Sequence, residues 1–145
     1  MISLLDVNVL IALADTEHSH ATAALDYFQN YAVRNGWATC PLTENAFLRI
    51  FGNPKYPNGP GSPQEARLVL KSIIAAPGHQ FWEDGISLNN DKLVQILPGS
   101  PHLTDCYLLA LANRKGACLA TFDRDIDSSL IKGAKKSLHV IDSCS

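Results

Sequence analysis

Four carboxylic acids stand where apolar segments of the chain begin or end: Asp6, Glu44, Asp105 and Asp123. Carboxylates gathered in one pocket repel one another and raise each other's pKa unless a cation lies among them. Carboxylate oxygens are hard ligands, and no cluster of His and Cys accompanies them, so such a group favours Mg²⁺ or Mn²⁺ over Zn²⁺. If the fold brings these acids together, metal-assisted hydrolysis of a phosphodiester is the chemistry that they predict.

Two of the acids also have a purely structural interpretation. Asp6 precedes a short apolar helix predicted over 7–14 and could cap it by accepting a backbone N–H. Asp105 begins the helix predicted over 105–114, where an acid complements the helix dipole. Thr104 fills the capping position of that helix, so Asp105 is not needed as a cap. For each acid taken alone, both roles stay open.

Glu44 follows a short strand predicted over 37–40 and lies in the first turn of a helix predicted from Thr43. A capping box would need an acid three residues after Thr43, where the chain has Ala46. Glu44 gains a few tenths of a kcal/mol from the helix dipole, but it is not the expected capping partner. It therefore joins the candidate metal ligands.

Composition and charge bound the class of protein. The chain has 145 residues, of which 46% are hydrophobic and 18% charged, so we expect a single folded domain over 1–145. The net charge of −2 argues against a broadly basic surface for nucleic acid, although a cluster of metal-binding acids would itself lower the charge. The densest basic group, 132–136, is typical of a solvated surface.

Cysteine usage and the amino terminus predict a cytoplasmic protein. The four cysteines form no C-x-x-C pair, and we expect reduced, mostly buried thiols at Cys40, Cys106, Cys118 and Cys144. The amino terminus lacks a basic region before its apolar run, which Asp6 and Asn8 interrupt well short of a membrane span. We therefore expect a soluble chain without a cleaved leader.

Strands and helices alternate along the chain. Strands are predicted over 2–5, 37–40, 80–82, 117–121 and 138–141, and helices over 7–14, 20–32, 43–51, 63–75, 91–97 and 105–114. The Pro- and Gly-rich stretch 52–62 is a loop. This alternation predicts an α/β fold with a parallel sheet covered on both faces, and it places the four acids on one rim of the sheet.

Four segments resemble the four motifs of PIN-domain ribonucleases: residues 3–12, 40–45, 103–110 and 119–123. More closely, the chain is similar to VapC-type toxins of bacterial type II toxin–antitoxin modules, in the subgroup best known from mycobacteria. The likeness runs over nearly the whole chain and includes Asn53-Pro54 and 77–82. Each motif alone is a weak signal, whereas four in the right order are a strong one.

The resemblance implies a three-layer α/β/α PIN-like domain with a mostly parallel sheet of four to five strands. It implies Mg²⁺-dependent endonucleolytic cleavage of structured RNA, such as transfer or ribosomal RNA, by metal-activated water. It also implies a homodimer and a VapB-type antitoxin whose carboxyl-terminal segment covers the active site.

The resemblance also implies a role for each motif residue. Asp6 and Asp105 are the principal metal ligands, and Glu44 and Asp123 complete the set directly or through water. Asn8 and Thr121 orient the acids through hydrogen bonds. Asp125 either assists them or caps the segment that follows.

Several other side chains have weaker claims to function. Arg49 could hold a substrate phosphate, but an exposed surface arginine is an equal alternative. Four histidines show no ligand spacing and are taken as structural or surface residues: His18, His20, His79 and His102. Phe81 and Trp82 could stack on a base, although a buried aromatic pair is the preferred interpretation.

Two competing functions follow from the same residues. The segment 6–9 loosely resembles the aspartyl-nucleophile motif of haloacid-dehalogenase phosphatases, but that family needs a second acid where this chain has Asn8, and its separate Lys motif is not evident. A non-enzymatic RNA- or partner-binding module that keeps the acids only for Mg²⁺ is the other alternative.

Overall fold

A computed structural model describes residues 1–142 of the chain, so the predicted thiol of Cys144 lies outside the described residues. Five strands of this described part of the chain form one sheet: β1 (Ser3–Leu5), β2 (Trp37–Thr39), β3 (His79–Phe81), β4 (Cys118–Thr121) and β5 (Leu138–Val140). The strand order is β3-β2-β1-β4-β5, and every neighbouring pair is parallel. The predicted α/β class with a parallel sheet is confirmed.

Within residues 1–142, six α-helices connect these strands: α1 (Val7–Ala14), α2 (Ala21–Tyr27), α3 (Val33–Asn35), α4 (Pro41–Phe51), α5 (Pro63–Ile74) and α6 (Leu103–Arg114). A π-helical turn, Phe28–Ala32, joins α2 to α3, and 3₁₀ turns cover Ser100–His102, Ser128–Leu130 and Ala134–Ser137. The predicted helix over 20–32 is therefore interrupted by a wider turn. None of the described helices is long and apolar enough to cross a membrane.

The sheet is covered on both faces because successive strand residues point to opposite sides. Leu4 and Leu119 are fully buried in one apolar cluster together with the inner face of α6. Leu5 and Ala120, the next residues along β1 and β4, are fully buried in a second cluster with α1, α2, α4 and α5. The three-layer α/β/α arrangement follows from this alternation.

The order of the strands fixes where a site can form. The connections β1 to β2 and β2 to β3 move outward in one direction, and the chain then returns through α6 to β4 on the other side of β1. The direction of winding therefore reverses between β1 and β4, and ligands bind at such switch points beyond the carboxyl ends of the strands. Asp6 follows β1 and Asp123 follows β4, so both acids lie at the reversal.

Two predicted helix starts were wrong by two residues. α4 begins at Pro41, a favoured first helical residue, with Cys40 as its N-cap. Thr43 acts as the capping partner, since its Oγ1 accepts from the Cys40 amide at 3.0 Å and donates to the Cys40 carbonyl at 3.1 Å. α6 begins at Leu103 because a 3₁₀ turn runs directly into it, so Thr104 is not its cap.

The helix predicted over 91–97 does not form. The Asn90 side chain accepts from the backbone amide of Lys92 at 3.0 Å, which closes a turn in place of a helical start. Only Val94 of this stretch is buried, while Ile96 remains 71% exposed. Its apolar residues do not form one buried stripe, and this explains why their number misled the prediction.

The aromatic pair that follows Gln80 is split between core and surface. Trp82 is buried and packs in the α6 cluster, but Phe81 is 52% exposed on the edge strand β3. The prediction of a buried pair was wrong for Phe81 because consecutive residues of an extended segment face opposite ways.

Candidate active site

Asp6 is buried and both of its carboxylate oxygens accept hydrogen bonds. Oδ1 accepts from the amide of Val7 at 2.7 Å, which makes Asp6 the N-cap of α1. Oδ2 accepts from the hydroxyl of Thr121 at 2.7 Å. Burial raises the pKa of Asp6, and these two hydrogen bonds oppose that shift. Each carboxylate oxygen has a second lone pair, so capping and ligand binding are compatible roles.

Thr121 links three other residues of the site through one hydroxyl group. Its single hydrogen goes to Asp6, while its oxygen accepts from Asn8 Nδ2 at 3.2 Å and from the Asp123 amide at 3.1 Å. The Asn8 Oδ1 in turn accepts from the amide of Phe122 at 3.3 Å. Because the hydroxyl has one hydrogen and two lone pairs, all of its bonding capacity is used.

Asp105 and Asp123 bring two further carboxyl groups to Asp6. Asp105 lies in the first turn of α6, and its carboxyl is within hydrogen-bonding reach of that of Asp123. Burial, followed by the negative charges of Asp6 and Asp123, raises the pKa of Asp105 to about 7. Three acids that are distant in sequence therefore interact at the β1–β4 switch point.

The donor chemistry of this trio fits a divalent cation. Among residues 1–142, no group of three or more His, Cys, Asp or Glu side chains has the geometry of a preformed metal site. Mg²⁺ does not require one, because it is commonly held by one or two carboxylates, keeps several waters and takes further oxygens from phosphates. After burial, repulsion by Asp6 and Asp123 is the next cause of the raised pKa of Asp105, and a cation would relieve that repulsion.

The raised pKa of Asp105 predicts how stability depends on pH in metal-free protein. Its pKa is about 7 in the fold against an ordinary value of 3.8, so the folded state binds more protons between these values. Stability should therefore fall as the pH rises through this window, and Asp105→Asn should remove most of the decline. Melting temperatures in EDTA at pH 5 and pH 8 measure this effect.

Added Mg²⁺ provides the control for that prediction. It should raise the melting temperature more at pH 8, where the carboxyls are ionised, than at pH 5. A wild-type melting temperature that is flat or rising between the two pH values would contradict the prediction.

Glu44 lies at the end of the neighbouring strand. Its Oε2 accepts from the hydroxyl of Thr39, the last residue of β2, at 2.6 Å. The negative charge of Glu44 affects the pKa of His79. The negative charges that raise the pKa of Asp105 are those of Asp6 and Asp123. The structure thus places three of the four predicted acids together and the fourth one strand away.

A cleft of about 210 Å³ opens beside Asp105, between the start of α6 and the segment after β4. Asp125, His102 and Leu130 contribute to its lining. The Asp125 amide donates to Asp123 Oδ1 at 2.8 Å, which closes the turn that carries Asp123. Asp125 is exposed, and whether its carboxyl assists the other acids stays a prediction.

Arg49 is exposed in the last turn of α4, whereas Glu44 lies in the first turn of the same helix. The role of Arg49 in holding a substrate phosphate stays a prediction.

Sequence reasoning missed Thr39 and placed His79 among structural or surface residues. His79 Nε2 lies 2.8 Å from Thr39 Oγ1, and Thr39 is fully buried. The sequence did contain a signal for Thr39: it is the last residue of an apolar strand, as Thr121 is. A hydroxyl at that place faces the ligand-binding edge of a parallel sheet.

Comparison with known proteins identifies the family of the chain. The family model of the PIN domain matches residues 3–129. Ribonuclease VapC38 of Mycobacterium tuberculosis is 43% identical over 124 residues, which are 86% of this chain and 86% of that protein. Ribonuclease VapC39 of the same organism is 39% identical over 135 residues, covering 92% and 96% of the two chains.

A solved structure supports the fold. The crystal structure of VapBC2 from Rickettsia felis bound to a DNA fragment from their promoter superposes with a TM-score of 0.61. The identity is 14%, and the alignment covers 98% of this chain and 100% of that chain. This likeness supports the fold, whereas the PIN-domain model and the curated relatives confirm the family that the four motifs predicted. The chain belongs to the PIN-domain family, in its VapC branch.

Proposed function

We propose that the protein is a Mg²⁺-dependent endoribonuclease and the toxin of a type II toxin–antitoxin pair. The observation that carries this proposal is the convergence of Asp6, Asp105 and Asp123 at the β1–β4 switch point, where their charges act on one another. The relatives named ribonucleases support the reaction class. Structured RNA, transfer or ribosomal, is the proposed substrate.

The residues have separate tasks in this proposal. Asp6 and Asp105 hold the cation, and Asp123 and Glu44 complete the acidic set directly or through water. Thr121 and Asn8 keep the Asp6 carboxylate in place through the hydrogen bonds described above. Bound Mg²⁺, or Mn²⁺ in its place, supplies activation of a water molecule and neutralisation of phosphate charge. Arg49 is proposed to contact a substrate phosphate.

The proposed partners are a VapB-type antitoxin and a second copy of this chain. The VapBC2 complex among the structural neighbours supports the choice of antitoxin. We propose a cytoplasmic location, where the free thiols of Cys40, Cys106 and Cys118 would stay reduced. Co-purification with the product of an adjacent small gene and light scattering of the isolated chain test these two partners.

Metal removal tests the proposed reaction. Purified protein should cleave total RNA at discrete sites in Mg²⁺, stop in EDTA, and recover when excess Mg²⁺ or Mn²⁺ is restored. End-mapping of the products identifies the RNA and the cleaved bond. Cleavage that persists in EDTA would exclude the metal mechanism. Binding of RNA without cleavage in any metal would instead favour the non-enzymatic RNA-binding module.

A further inference from the structure

His79 contacts the candidate site from the edge of the sheet. It begins the outermost strand β3, where it pairs in register with Trp37, and its ring centroid lies 4.6 Å from that of Trp37. Trp37 is fully buried and is itself anchored, since its Nε1 donates to the Pro77 carbonyl at 3.0 Å. The His79 imidazole is thus packed in one orientation, with Nε2 facing Thr39.

Counting hydrogens fixes the direction of each bond in this chain of groups. The Glu44 carboxylate can only accept, so the single hydroxyl hydrogen of Thr39 is donated to it. The Thr39 oxygen therefore accepts at its 2.8 Å contact with His79, which must carry its hydrogen on Nε2. Burial lowers the pKa of His79, against the opposing charge of Glu44, and so favours the neutral ring with one hydrogen that these bonds require.

We propose that His79 is a positioning residue for Glu44: by donating to Thr39, it holds the Thr39 hydroxyl hydrogen toward the Glu44 carboxylate. The importance of this for the reaction rests on the proposed nuclease function. A lone threonine hydroxyl can rotate among several acceptors, whereas one that already accepts an N–H has its hydrogen directed elsewhere. The carboxylate of Glu44 is thereby kept at the carboxyl end of β2.

The other side of β1 contains the same arrangement. There Thr121 ends β4, donates to Asp6 at 2.7 Å and accepts from a side-chain N–H of Asn8 at 3.2 Å. β2 and β4 are the two strands that flank β1. Each flanking strand thus ends in a threonine that bonds one acid and is itself held by a side-chain nitrogen. His79, on β3, therefore contacts Thr39 as Asn8, on α1, contacts Thr121.

The tautomer of His79 can be measured without metal or RNA. A long-range ¹H–¹⁵N spectrum of the metal-free wild-type protein at pH 7 should show His79 neutral with its hydrogen on Nε2. A hydrogen on Nδ1, or a rapidly exchanging mixture of both forms, would overturn the proposal.

Paired variants test the effect on catalysis. His79→Leu should lower kcat about tenfold or more, the usual effect of removing a group that supports a ligand. His79→Gln should recover most of the activity, because its amide nitrogen can donate from nearly the position of Nε2. His79→Leu combined with Thr39→Val should be no worse than Thr39→Val alone, since both changes break one chain of bonds.

Two results would contradict this role: His79→Leu as active as the wild type, or His79→Gln as damaging as His79→Leu in equally folded protein. Wild-type protein that cleaves no RNA in Mg²⁺ or Mn²⁺ would refute the proposed nuclease instead. In that case the tautomer measurement alone decides whether His79 positions Glu44.

Discussion

Asp6→Asn should lower RNA cleavage more than about 100-fold while leaving the protein folded. The substitution removes a negative charge from a side chain that is only 3% exposed and interacts with two other acids, Asp105 and Asp123. The remaining amide oxygen can still accept from the Val7 amide and cap α1. The amide keeps only one of the two hydrogen bonds of Asp6, since its NH2 group cannot accept from the Thr121 hydroxyl. The lost hydrogen bond and the removal of an unfavourable buried charge oppose each other, so we expect stability to change by about 1 kcal/mol or less.

The matched control for this variant is Asp91→Asn, which makes the same chemical change at an exposed position in the loop before α6. It should cleave RNA at the wild-type rate. Preparing the two variants and the wild type in parallel also excludes a contaminating nuclease, since a contaminant would be equally active in all three. Asp6→Asn protein that cleaves RNA within a few-fold of the wild-type rate would refute the assigned role of Asp6.

The sequence was sufficient to predict the α/β class and the parallel sheet. The strands are short, the three central ones (β1, β2 and β4) are buried along their length, and helical periods separate them, so their alternation was readable without tertiary information. Strand order was not readable in the same way. The reversal between β1 and β4 depends on which side of β1 the chain returns to after α6. Local sequence patterns do not indicate that side.

The carboxyl groups of the site were found because they stand at strand ends or helix starts that a parallel sheet brings to one rim. The groups that orient them were harder to recognise, since threonine is common in strands. Thr121 was identified through the family motif, whereas Thr39 was not. Its role depends on His79, which is 40 residues away along the chain and reaches it only through the pairing of β2 with β3.

Three of the wrong predictions share a physical cause. At Thr43 and Thr104 the favoured capping residue was assigned as the cap, but a preceding Pro41 or 3₁₀ turn had already started the helix. Over 91–97 the apolar count suggested a helix, while the Asn90 side chain closed a turn. Local hydrogen bonds to the backbone decided each outcome, and several residue types can make them.

The Thr121 hydroxyl should be needed for both activity and stability. Thr121→Val keeps the shape of a fully buried side chain but removes the donor to Asp6 and the acceptor for Asn8 and the Asp123 amide. Buried groups left without partners should reduce the free energy of unfolding by about 2 kcal/mol, as measured by urea denaturation. RNA cleavage should fall about 10- to 100-fold, because Asp6 and Asp123 lose their common support.

Thr121→Ser distinguishes the contribution of the hydroxyl group from that of the methyl group, because it keeps the first and removes the second. It retains every hydrogen bond and loses only packing, so activity should stay near the wild-type rate even if stability falls by about 1 kcal/mol. All rates are compared well below the melting temperature of the least stable variant, which removes unfolding as a cause. If Thr121→Val and Thr121→Ser lose activity equally, the methyl packing and not the hydroxyl positions Asp6. If neither loses activity, the acids of this site hold their places without Thr121.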